Sequence, residues 1–203
     1  MERLNELGVK PLLFTGDVGD ESFVKKTVQS IVDEWGEIHV LVNNASEQHP
    51  QESILNIDAA QLDRTFRTNI FGMIYFAREV FPHMAENGSI INTTSVTAYK
   101  GSPGLMDYAS TKGAIVPFTR SLSQNKEILE KKIRVNTVAP GPIWAPLIPA
   151  TIGSSLEEHG GVPLGRAGQP YELAPAYVYL ATSDTSYVTG QTIHINGGTI
   201  VNG

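Results

Sequence analysis

The chain has 203 residues, 41% of them hydrophobic and 18% charged, with a net charge of −6 and no cysteine. That composition supports one globular domain with a core, and its negative surface argues against nucleic-acid binding. Without cysteine there are no disulfides or thiolate metal sites, and no apolar run approaches the ~18 residues that span a bilayer. Met1–Asn5 lacks the apolar core of a signal peptide, so the reading is of a cytoplasmic protein with no membrane partner.

Strand and helix signals alternate along the chain. Leu4 and Leu7 followed by Gly8 read as the end of a helix and its cap. Pro11–Phe14 reads as a short buried strand. Asp20 is a candidate N-cap for a helix with Phe23, Val24, Val28, Ile31, Val32 and Trp35 on its apolar face. Ile38–Val42 is the next strand and ends in Asn43-Asn44-Ala45.

Asp58 opens a long helix, read over 58–86, with Leu62, Phe66, Ile70, Met73, Ala77 and Phe81 at helical spacing. Gly88 breaks it before a strand at Ser89–Thr93. Residues 107–131 read as one helix, with an irregularity expected at Pro117. Ile133–Val138 is a strand closed by Ala139-Pro140-Gly141-Pro142. Residues 143–168, rich in Pro and Gly, read as a mobile substrate lobe. Pro170 suits the first position of a further helix, and Gln191–Ile195 is the last strand.

This alternation predicts an α/β fold with a doubly wound, mostly parallel sheet in three α/β/α layers, as a single domain over 1–203. Ligands bind such sheets beyond the carboxyl ends of the strands. Asp17, Asn43-Asn44, Ser95 and Pro140-Gly141 all fall there.

The chemistry concentrates in Tyr108-Ala109-Ser110-Thr111-Lys112. Residues i and i+4 share a helix face, so the phenol and the ammonium reach one site. A nearby cation favours the phenolate, which predicts a lowered Tyr108 pKa and an acid/base working near neutrality. The Ser95 hydroxyl can then hold a carbonyl or alcohol oxygen against the phenol.

These pieces, together with Gly16-Asp17-Val18, Asn69, Ile133–Asn136 and Gly190-Gln191-Thr192, resemble the short-chain dehydrogenase/reductase family over nearly the whole chain. Asn44–Gln51 and Pro142–Pro149 are similar to the bacterial glucose/ribitol-type, or general-stress, subgroup. The resemblance implies a Rossmann-like fold and NAD or NADP as cofactor. It also implies hydride transfer to or from a secondary alcohol or carbonyl, whether sugar, polyol or small aldehyde or ketone.

By the same resemblance, Tyr108 is the acid/base and Lys112 lowers its pKa and binds the nicotinamide ribose. Ser95 orients the substrate, and Asn69 holds a helix irregularity and a proton-relaying water. Asp17 and Val18 meet the adenine, Asn43 and Ala45 line the adenosine side, and Pro140, Gly141 and Ile143 pack around the nicotinamide. Trp144 walls the substrate pocket. Helices 58–86 and 107–131 form the contact of a homodimer or homotetramer.

The family's opening Gly-rich strand–helix–strand unit has no match in this sequence. The expectation is therefore of an N-terminally truncated domain. An alternative is a truncated, non-catalytic relative that acts as an oligomerisation partner.

Overall fold

The computed structural model describes Leu4, residues 6–147 and residues 162–199. Among them, four strands form a parallel sheet in the order β1 (Ile38–Asn43), β2 (Met84–Thr93), β3 (Arg134–Pro140) and β4 (Thr192–Ile195). Residues 88–92 of β2 and 134–139 of β3 are buried on both faces, as a central parallel sheet requires.

Neighbouring residues of a strand point to opposite faces, and this sorts the helices into two layers. Ile90 and Val135 face a core built with Val24 and Val28 of α1 (Glu21–Trp35) and Val80 of α3 (Gly72–Val80). Ile91 and Val138 face the other way, against Ala176 and Leu180 of α7 (Pro170–Ala181). The expected α/β fold, a parallel sheet between two helical layers, is present.

Helix starts follow local chemistry. Asp20 caps α1 by accepting from the Ser22 amide, and Asp58 caps α2 (Ala59–Phe66) by accepting from the Gln61 amide. Pro170 stands at the first position of α7, where Glu172 closes a capping box with Gln169. The far end of α7 is closed from the sheet. Buried Arg134 donates to the Leu180 carbonyl at 2.9 Å and the Thr182 carbonyl at 3.2 Å, satisfying acceptors that a helix end leaves free.

Three expected elements differ. Pro11–Phe14 joins no strand ladder, and Leu13 is 71% exposed, because no described strand lies beside it to supply hydrogen bonds. The helix expected over 58–86 is divided: α2 passes into a π turn at Arg67–Phe71, then α3, then a 3-10 turn at Phe81–His83. Strand β2 already begins at Met84.

The helix expected over 107–131 is α5 (Met106–Ser123) followed by α6 (Lys126–Glu130). They part at Gln124, where Asn125 starts a new helix by accepting from the Glu127 amide. Pro117 leaves α5 continuous. A short helix, α4 (Thr97–Lys100), follows β2. Of the expected lobe at 143–168, residues 148–161 lie outside the described residues.

Candidate active site

Backbone pairing continues past β2. Thr94 N–H donates to the Val138 carbonyl and Val96 N–H to the Pro140 carbonyl, each at 2.9 Å. Ser95 is held between these two bonds, and its Oγ accepts from the Thr97 amide at 3.1 Å. Helix α5 is stapled to the same strand end in both directions. Lys112 Nζ donates to the Thr93 carbonyl at 2.9 Å, and Thr94 Oγ1 donates to the Lys112 carbonyl at 2.6 Å. Tyr108, one turn earlier, has Lys112 Nζ 5.5 Å from its ring centroid.

Ser95, Tyr108 and Lys112 are all buried, and burial decides the electrostatics. It disfavours the charged form and lowers the Lys112 pKa to about 7. It also raises the Tyr108 pKa, against a smaller opposing effect of the hydrogen bond with Ser95. The expected lowering of the Tyr108 pKa by Lys112 is therefore overturned. The Lys112 amine stands over the ring face, and desolvation disfavours its charged form as well.

Asn69 lies in the π turn between α2 and α3, so the helix irregularity expected there is present. Its Oδ1 accepts from Ser46 Oγ and from the Glu47 amide, both at 2.9 Å. Its Nδ2 donates to the Glu47 carbonyl at 2.9 Å and to Thr111 Oγ1 at 3.0 Å. The side chain thus joins the loop after β1 to the Tyr108 helix.

A cleft of about 890 Å³ opens beyond the strand ends, lined in part by Ala45, Ser95, Tyr108, Lys112, Pro140, Gly141 and Ile143. A cavity of about 210 Å³ shares Ala45 and Lys112 with it and continues to Val18, Asn43 and Asn69. Gly72 allows the Val18 loop to dock here, since a Cβ on it would come within 2.7 Å of the Val18 carbonyl oxygen. Asn43 Nδ2 donates to Asn92 Oδ1 at 2.9 Å, tying β1 to β2.

Asp17 lines neither space. It is exposed, and its carboxylate accepts from the Gly19 amide at 2.8 Å. Trp144 is also absent from the cleft wall among the described residues, contrary to expectation. Its neighbours Ile143 and Ala145 line the cleft, while Trp144 is 41% exposed and its amide bonds to the Gly168 carbonyl.

Sequence reasoning missed three residues of this region. Gln48 is buried and lines the cleft, Tyr177 lines it from α7 beside Thr93, and Asp107 is buried next to Tyr108. Only Asp107 carried a local signal, an acidic residue in the first turn of a helix.

The two spaces share lining residues whose chemistry suits a nicotinamide cofactor: small Ala45 leaves room, half-buried Val18 is apolar, and Lys112 is a donor.

The family model described as enoyl-(acyl carrier protein) reductase matches residues 1–199. The chain is 55% identical over 202 residues to the uncharacterized oxidoreductase YhdF of Bacillus subtilis (strain 168), covering 98% of this chain and 69% of that protein. A solved short-chain dehydrogenase/reductase, described as a glucose/ribitol dehydrogenase from Brucella melitensis, is 32% identical with a TM-score of 0.81. That match covers 93% of this chain and 75% of that one. A blue fluorescent protein from a metagenomic library, solved in complex with NADPH, is 27% identical with a TM-score of 0.90, covering 98% of this chain and 80% of the other. With the sequence, the parallel sheet and the cleft in agreement, the chain belongs to the short-chain dehydrogenase/reductase family of NAD(P)-dependent oxidoreductases.

Proposed function

We propose that this chain moves a proton between Tyr108 and a substrate oxygen during interconversion of a secondary alcohol and a carbonyl. The observation that carries the reading is the meeting of Ser95, Tyr108 and Lys112 in one cleft. Bound NAD(P) supplies or takes the hydride. Ser95 orients the substrate oxygen, and Tyr108 protonates it in reduction or accepts its proton in oxidation. A buried phenol with a raised pKa is protonated at neutral pH, which suits the acid role in reduction.

Lys112 and Asn69 complete the catalytic set, and Lys112 also holds the nicotinamide ribose. Val18, Asn43 and Ala45 line the nucleotide side; Pro140, Gly141 and Ile143 face the nicotinamide. The name of the Brucella relative favours a sugar or polyol substrate over other alcohols. We read 1–203 as one domain that pairs through α2–α3 and α5, where Leu62 and Phe71 are exposed. A non-catalytic partner role has less support, because the relatives are named oxidoreductases and the acid/base set shares one cleft.

The test is NADPH and NADH titration by cofactor fluorescence, then turnover on a panel of sugars, polyols and small aldehydes. Tyr108→Phe should keep cofactor binding and lose roughly 10²–10⁴-fold in turnover. Near-normal turnover in that variant overturns the assignment.

A further inference from the structure

The helix that carries Tyr108 starts without a side-chain cap. Its N-cap residue is Leu105, which has no side-chain acceptor, so the first amides of α5 need partners from elsewhere. Asp107 supplies one from inside the first turn. Its Oδ1 accepts the Tyr108 amide at 2.9 Å. Its Oδ2 accepts from Thr65 Oγ1 at 2.8 Å and from Gln61 Nε2 at 3.0 Å, both on α2.

Gln61 extends the connection to the cleft wall. Its Nε2 also donates to the His49 carbonyl at 3.3 Å, and its Oε1 accepts from Gln51 Nε2 at 2.7 Å. Gln48, in the same loop, lines the cleft. One carboxylate, only 4% exposed, therefore joins the Tyr108 main chain, α2 and the 48–51 loop. Burial pushes the Asp107 carboxyl up, but the hydrogen bonds from Gln61, Thr65 and the Tyr108 amide outweigh it and hold the group below the usual carboxylate range.

We infer that Asp107 is a positioning residue for Tyr108, fixing the first turn of α5 and, through Gln61, the 48–51 wall of the cleft. This rests on the reading of Tyr108 as the acid/base. A neutral amide cannot replace the carboxylate. If the single oxygen of Asn serves the Tyr108 amide, its NH₂ meets Gln61 Nε2 donor to donor. Adding Gln61→Glu reverses the polarity of that contact and restores an acceptor to it.

The experiment uses the full chain labelled with ¹³Cζ-tyrosine, with the Tyr108 line assigned by its loss in Tyr108→Phe. Asp107→Asn should move the Tyr108 line and lower kcat roughly 10- to 100-fold, the scale of an ångström-level misplacement, while NADPH affinity stays unchanged. Adding Gln61→Glu should return both the line and kcat part of the way, since the glutamate gives up the donor to the His49 carbonyl. Thr65→Val keeps the carboxylate but removes one donor, so it should give a smaller shift of the same sign; it is the reading to take if Asp107→Asn does not fold. An unmoved Tyr108 line in the folded variant overturns the inference. Turnover lost in Tyr108→Phe but normal in Asp107→Asn sinks the role of Asp107 alone. Turnover retained in Tyr108→Phe sinks the acid/base reading instead, and the positioning of a catalytic group with it.

Discussion

The centre of the sheet and its β1 edge are built differently. Strand β3 is buried along nearly its whole length, and the end of β2 is stapled to α5 through Thr93, Thr94 and Lys112. At the edge, β1 leaves Val40 and Val42 at 36% and 44% exposure, and Leu13 and Phe14 belong to no strand of the described sheet. Ser95, Tyr108 and Lys112 belong to the first region; Asp17, Val18 and Asn43 belong to the second. Packing and backbone bonds hold Ser95, Tyr108 and Lys112 in place. At the β1 edge the geometry rests on short loops such as the one docked on Gly72.

Mutations can break this contrast. Ile90→Ala, fully buried between β1 and β3, should cost about 2–5 kcal/mol in urea unfolding. A loss below about 0.5 kcal/mol would mean that the centre is not the rigid region.

Lys112→Met should act in the opposite direction. A buried lysine with a pKa of about 7 folded and about 10.5 unfolded binds fewer protons in the native state between those values. Its burial therefore destabilises most below pH 7, and that cost vanishes as pH rises through 10.5. The methionine variant should gain on the order of 1–3 kcal/mol at pH 7, after the loss of the bond to Thr93 is offset. Thermal melts across pH should show the gain shrinking between pH 7 and 10.5; a constant gain would mean that Lys112 is charged in the fold.

Val42→Ala at the edge should change stability by less than about 0.5 kcal/mol. A larger loss would place the edge within the cooperative core.

Much of the scaffold was legible locally. Asp20, Asp58 and Pro170 announced helix starts through their own hydrogen-bonding and backbone chemistry, and the apolar runs of β2 and β3 announced a buried parallel sheet. The division between α5 and α6 was missed although Asn125 is an ordinary N-cap, because the apolar periodicity runs on through it. The π turn at Arg67–Phe71 left no periodic signal; it is held by Asn69 bonding to Ser46, Glu47 and Thr111 across the fold.

The order and type of residues determined the family, the candidate acid/base pair and the strand–helix alternation, since these depend on spacing along one chain. Tertiary structure decided the rest. Pro11–Phe14 has strand composition, but a strand exists only with a partner to bond. Trp144 is exposed although Ile143 and Ala145 on either side of it line the cleft. The pKa directions of Tyr108 and Lys112 came from burial, because the free energy of a charge depends on how much water surrounds it and not on which residue lies four positions away.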